Sequence, residues 1–308
     1  MKVDTTLFRA LARLQLASPG AVRGRQQGER RSKAVGSGVE FADHRPYHPG
    51  DDLRRVDWNA WQRQPGHVVV RLFSEDRNLR VNVVVDATGS MGTAGLTHSR
   101  SGRTKLDHAG TLAAGFALLG LVHRDNVRVG TYGAAGGDRS GPTVAWGHDM
   151  AAMPGLLDLL KRTVAGQGCE APQDRILALA GGRPADRSVL LSDMLAPEAE
   201  IESTLRALAT IGHHPLLLHV VSPDDLEPDL SKPQRLVDAE TGESVEVPGG
   251  PAVARAWAEA REAWLSDLDA RCRRLGVRRV LARTDADPAF LFRDTLRRAG
   301  VVRLGARG

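Results

Sequence analysis

The chain has 308 residues, of which 42% are hydrophobic and 26% charged, enough to bury the core of one large domain or of two smaller ones. A formal net charge of +5 invites a nucleic-acid role, but the arginines are interspersed with aspartates and glutamates, and nothing reads as a zinc finger, a stacking platform or a recognition helix, which argues against one. The longest apolar run, at 111–122, falls short of the ~20 residues a bilayer span needs, and Cys169 and Cys272 form no C-x-x-C pair, which excludes a disulfide framework or zinc site as an organising feature and leaves two free thiols.

In chain order, residues 5–17 are expected to form an amphipathic helix, with Leu7, Leu11 and Leu14 on one face. Arg9 and Arg13 interrupt the apolar positions, so no continuous signal-peptide core is read, and a cytoplasmic location is expected. Ser18-Pro19-Gly20 stops the helix, and the basic, glycine-rich stretch to Lys33 reads as a connector. Residues 36–58, GSGVEFADHRPYHPGDDLRRVDW, are denser in fixed chemistry. Pro49-Gly50-Asp51-Asp52 is a turn signal. Around it Glu40, Asp43, Arg45, Asp51, Asp52, Arg54 and Asp57 alternate with Phe41, Tyr47 and Trp58. Charges of both signs beside aromatic rings predict a folded polar network with Arg45 and Arg54 paired to acids; the alternative is a charged surface hairpin. With strands expected at 39–41 and 68–73, residues 36–78 form a small β-rich element after an N-terminal helix and linker at 1–35.

From Leu79 strands and helices alternate, the sequence form of a sheet covered on both faces. Strands are expected at 81–85, 127–132, 143–146, 188–191, 215–221 and 277–281, with helices at 105–122, 150–163, 173–180, 197–211, 252–275 and 288–299. The short glycine-rich spacing before 143–146 predicts an antiparallel edge strand. Residues 222–250 form a polar insertion within 79–308, with a hairpin at Glu240-Thr241-Gly242-Glu243. Trp257 and Trp264 share one helix face.

Asp86 closes an apolar strand, and Asp86, Thr88 and Ser90 recur at two-residue spacing through a tight turn at Gly89. In a doubly wound sheet ligands collect beyond the carboxyl ends of strands, and two hydroxyls beside a carboxylate suit Mg²⁺, a hard cation that prefers oxygen. The alternative is a structural crevice in which Asp86 bonds backbone amides. Enzymatic signals are absent: Gly89-Ser90-Met91-Gly92 lacks the spacing of a nucleophile elbow, there is no phosphate-binding G-x-x-x-x-G-K-[ST], and His213-His214 would face opposite ways on a strand.

The pattern G-x-G-x-E-F-x-D-x-R-x-Y-x-P-G-D-D-x-R-x-V-D-W, followed by Arg63 and VVVRLFSED, resembles the signature of the bacterial domain of unknown function family fifty-eight. That resemblance runs from about Arg30 through Asp193 and is expected to extend to the C-terminus, and it implies a von Willebrand A-like fold, doubly wound and mostly parallel, in proteins often encoded beside MoxR-type AAA+ ATPases. Asp86, Thr88 and Ser90 resemble the D-x-S-x-S element of a metal-ion-dependent adhesion site, and Asp193, in LLSDM, matches its distal aspartate. Such sites add a loop threonine; residues 166–174 contain none, and Glu170, Gln173 or a water is the candidate replacement. The implied function is a non-catalytic adaptor that grips a client or partner protein through a metal-bridged acidic contact, working with a MoxR-type ATPase in assembly or maturation of another complex. A metal-dependent hydrolase and a basic nucleic-acid-associated protein are the alternatives.

Overall fold

The computed structural model describes residues 5–17, 39–63, 68–75, 78–93, 103–135, 143–166 and 171–305. The connector at 18–33, Cys169 and Glu170 lie outside them. The chain divides into two compact units, Met1–Val22 with Leu79–Gly308, and Arg23–Asn78.

At the amino end α1 (Thr5–Leu11) gives way to β1 (Leu14–Leu16), so the helix expected over 5–17 is shorter than predicted. Leu14 and Leu16 are both buried; their two-residue spacing also fits a strand, and antiparallel pairing of Leu14 with Leu304 and Leu16 with Val302 selects the extended form.

The smaller unit pairs β2 (Val39–Pro46) antiparallel with residues 69–75 of its second strand, with a bulge between Phe41 and Asp43. Gly50 occupies φ +103°, which only glycine takes without strain, and the Asp51 carboxylate accepts from His48 N at 2.9 Å. Asp52 accepts from Arg54 N at 3.0 Å. Asp57 caps α2 (Trp58–Arg63), accepting from Asn59 N at 3.0 Å and Ala60 N at 3.1 Å. β3 (Val69–Glu75) returns the chain, receiving the Asp57 amide on Val69 O. Asp51, Asp52 and Asp57 thus serve the turns and caps of this segment. Arg54 is exposed and makes no ion pair among the described residues, unlike the pairing expected of it; Asp52 beside it holds a backbone amide instead. The side chains of Glu40, Phe41, Asp43 and Arg45 lie outside the described residues. Tyr47 is half-buried and Pro49 exposed. Trp58 and Trp61 are 54% and 41% exposed and meet edge to face with centroids 6.3 Å apart.

The larger unit runs β4 (Arg80–Asp86), α3 (Lys105–Val122), β5 (Asn126–Tyr132), β6 (Thr143–Gly147), α4 (Met153–Arg162), α5 (Pro172–Leu179), β7 (Arg187–Ser192), α6 (Glu198–Ile211) and β8 (Pro215–Val221). It continues with α7 (Pro223–Leu226), β9 (Gln234–Val237), β10 (Ser244–Val247), α8 (Pro251–Arg274), β11 (Arg278–Arg283), α9 (Pro288–Phe290), a π-helical turn at Leu291–Thr295, α10 (Leu296–Arg298) and β12 (Val302–Leu304). Six strands form one sheet in the order β11-β8-β7-β4-β5-β6, parallel throughout except for β6, which pairs antiparallel with β5 at the edge. This is the doubly wound, von Willebrand A-like arrangement with the expected antiparallel edge.

Alternation along the strands builds a core on each face. Val83 and Val85 of β4 and Val189 and Leu191 of β7 pack with Leu112, Phe116 and Leu119 of α3. Val84, Leu190 and Leu217 pack with Ile176 of α5 and Leu205 and Leu208 of α6. Cys272 of α8 is a buried free thiol, pushed up to about 11 by burial. No helix among the described residues is long and apolar enough to cross a membrane.

Candidate functional site

The strand order reverses at β4, whose neighbours are β5 on one side and β7 on the other, and in doubly wound sheets such a switch point leaves a crevice beyond the carboxyl ends of the strands. Asp86, the last residue of β4, is 5% exposed. Its Oδ1 accepts from Thr88 N at 3.0 Å and from Thr88 Oγ1 at 2.8 Å, and its Oδ2 accepts from Ser192 Oγ at 2.6 Å. The Thr88 hydroxyl lies 3.4 Å from Ser90 Oγ. Burial, and next the charge of Asp193, raise the Asp86 carboxyl to about 6 against the hydrogen bonds from Ser192 and Thr88. Burial and the charge of Asp86 also hold the Tyr132 hydroxyl well above its usual range.

Asp86, Thr88 and Ser192 line a crevice of about 160 Å³ with Tyr132, Glu200 and Glu240, and Ser90 adjoins it through its contact with Thr88. Glu240 comes from the tip of the β9–β10 hairpin, and its Oε1 accepts from Ser90 N at 2.9 Å. The hairpin backbone approaches closely at Gly89, where a Cβ would stand 2.4 Å from Ala239 O. Burial, and secondly Glu240, raise the Glu200 carboxyl.

Asp193 stands at the same end of the sheet but in another environment. Strand alternation puts Ser192 with Asp86 and turns the next residue toward α3. There Asp193 Oδ2 meets Lys105 Nζ at 2.7 Å, with the two side chains 2% and 1% exposed, and Asp225 completes the pairing at 3.3 Å. Burial alone would lower the Lys105 ammonium, yet Asp193 and Asp225 outweigh it and its pKa is raised. The pair is needed because Lys105 opens α3, where the helix dipole disfavours a cation. Asp225 is itself placed by a reciprocal cap with Ser222.

Behind this pair, His219 Nε2 faces the Asp193 carbonyl oxygen at 3.0 Å and Nδ1 faces Arg279 Nη1 at 2.9 Å. Since the guanidinium can only donate, Nδ1 accepts and Nε2 carries the proton. Burial, then Arg279, push His219 down to about 4, so it is neutral at pH 7. Asp269 holds Arg279 through two bonds of 2.6 and 2.8 Å.

The structure therefore brings Asp86, Thr88 and Ser90 together and sets Asp193 beside Lys105. Gln173 shares a 3.4 Å contact with Ser203 and does not line the crevice. Two hydroxyls and carboxylate oxygens are a donor set that fits a hard cation; Asp193 is paired with Lys105 and stands outside the crevice lining. Lys105, Ser192, Glu200 and Glu240 were not singled out from sequence. Ser192 had a signal in strand parity with Asp86, and Glu240 in its place at a hairpin tip; Lys105 had none.

Fold and rim together define a von Willebrand A-like domain with an acidic, hydroxyl-bearing crevice at the carboxyl ends of its strands. The chain belongs to the family described as protein of unknown function DUF58, whose sequence profile matches residues 43–264. It is 31% identical over 300 residues to uncharacterized protein Rv1480 of Mycobacterium tuberculosis and, at the same identity, to uncharacterized protein Mb1516 of Mycobacterium bovis, the match covering 92% of this chain and 87% of each relative. Among solved structures it is similar to the conserved hypothetical protein BatB from Bacteroides thetaiotaomicron, at 10% identity and TM-score 0.42, covering 72% of this chain and 98% of that one. A von Willebrand factor type A protein from Catenulispora acidiphila aligns at 15% identity and TM-score 0.36, over 76% and 44% of the two chains.

Proposed function

We propose that this chain is a non-catalytic protein-binding module of the cytoplasm that works with a MoxR-type AAA+ ATPase in the assembly or maturation of another protein complex, gripping an acidic side chain of its partner at the Asp86–Thr88–Ser90 crevice. The observation that carries the reading is the seat of Glu240: the chain already lodges one of its own carboxylates on the Ser90 amide, 2.9 Å away. A group of that chemistry arriving on a partner would compete for the same place. Thr88 and Ser90, with Asp86 behind them, would hold Mg²⁺, which when bound supplies electrostatic attraction for a carboxylate.

Recognition is favoured over turnover by the described lining, whose hydroxyls have no imidazole partner among the described residues, while His219 on the same rim is neutral with both ring nitrogens engaged. The ATPase partnership rests on the family resemblance of the 36–58 segment.

The test is capture of the MoxR-type ATPase of the same organism, or of a client shared with it, by the purified protein. Asp86→Ala and chelation with EDTA should each weaken capture about tenfold or more, the scale of losing one member of a desolvated charged contact. Equal capture by wild type, variant and chelated protein would refute the metal-bridged contact. Turnover of ester or phosphate substrates with Mg²⁺, abolished by Asp86→Ala, would instead establish the hydrolase reading.

A further inference from the structure

The opposite end of the sheet carries a second concavity, of about 510 Å³. It lies at the amino ends of β7, β8 and β11, and arginines reach it from four separate elements: Arg187 opens β7, Arg278 opens β11, Arg297 belongs to α10 and Arg303 to β12. His213 and His214 line it from the loop before β8. Among the described residues no acidic side chain is in that lining. Asp186 lies beside it in sequence, and its carboxylate accepts from Arg80 N at 2.8 Å.

Arg187 forms the floor. It is 7% exposed, and one of its guanidinium nitrogens, Nη2, donates to Ala17 O at 3.3 Å, while its buried Nε has no hydrogen-bond partner. A buried, unpartnered guanidinium N–H is costly, and more so with another cation close by. Burial, then the charge of Arg278, push the Arg187 guanidinium down to about 10. Folding has therefore placed Arg187 against Arg278, and the one acid acting on the cluster among the described residues, Asp186, is felt at His214 from outside the lining.

We propose that this cavity is a binding site for a small molecule bearing at least two ionised phosphates. Guanidinium forks match phosphate oxygens two at a time, and several of them converging on one concavity require a compact polyanion, not a single carboxylate. The volume lies within the range of roughly 300–1,000 Å³ typical of small-molecule sites. Because the cavity and the Asp86 crevice occupy opposite ends of the parallel strands, occupancy of one does not exclude the other. The site would give this domain a ligand input separate from its partner-binding rim.

The probes are inorganic pyrophosphate and ATP, each without divalent metal, titrated into the full chain at near-physiological salt and followed by calorimetry and thermal unfolding. Either should bind one-to-one and raise Tm, since it binds only the folded state. Arg297 and Arg303 are exposed, so Arg297→Glu with Arg303→Glu should leave circular dichroism unchanged and weaken binding about tenfold or more. Arg187→Lys, which keeps the charge and removes the fork, should weaken it as well. Absence of heat and of a Tm shift at millimolar probe would overturn the proposal. So would an equal shift from sulfate at matched ionic strength, or wild-type affinity in the doubly reversed protein.

Discussion

Lys105→Met removes the ammonium at the amino end of α3 while keeping the length and most of the apolar stem. In the wild type that ammonium lies 2.7 Å from Asp193, both side chains being essentially inaccessible, and 3.3 Å from the partly exposed Asp225. At an effective dielectric of about 20, two charges 2.7 Å apart attract by about 6 kcal/mol. Part of this is returned because methionine needs no desolvation of charge, so the expected loss is about 3–5 kcal/mol, the scale for stripping one partner from a buried pair. Urea unfolding is the assay, with an unchanged slope showing that stability and not the unfolded state has altered. Lys105→Met combined with Asp193→Asn should recover a large part of the loss, because the orphaned charge is then gone; the cycle would give a coupling of about 2 kcal/mol or more. A loss below about 1 kcal/mol, or a double variant destabilised by the sum of the single effects, would refute the assignment of Asp193 as the structural counter-ion of Lys105.

Gly89→Ala should dislodge the β9–β10 hairpin, since the new Cβ would stand 2.4 Å from Ala239 O; hydrogen exchange at residues 238–243 should rise while that of β4 and β7 stays unchanged, and unaltered protection at the tip would contradict the close packing. His108 is buried with no partner for Nδ1, and burial, then Arg103, push it down to about 4 against the opposing pull of Asp285. Between pH 6.5 and 4 the unfolded chain therefore binds a proton that the native chain refuses, so stability present at pH 7 is lost as pH falls, by up to about 3 kcal/mol from this residue. His108→Leu should remove that share of the acid loss, and parallel stability–pH curves for the two proteins would show that His108 is not its source.

The sequence alone determined the layered architecture, because strand and helix periodicities are local properties of the chain: Lys105–Val122 and Pro215–Val221 fall where their apolar patterns place them. It also determined the turn at Gly50 and the grouping of Asp86, Thr88 and Ser90, whose contacts span only two residues. What only tertiary structure decided are relations across long separations. Residues 14–16 became a strand because residues 302–304 arrived beside them. Asp193 became the partner of Lys105 because strand parity turns it away from Asp86, and parity names a face without naming what stands on it. Glu240 reached Ser90 across 150 residues, and four arginines dispersed between 187 and 303 met around one cavity. Such pairings depend on loop paths and on the burial of charge, neither of which is written in the spacing of any one segment, so the composition of the crevice and the existence of the basic cavity emerge only when the chain is folded.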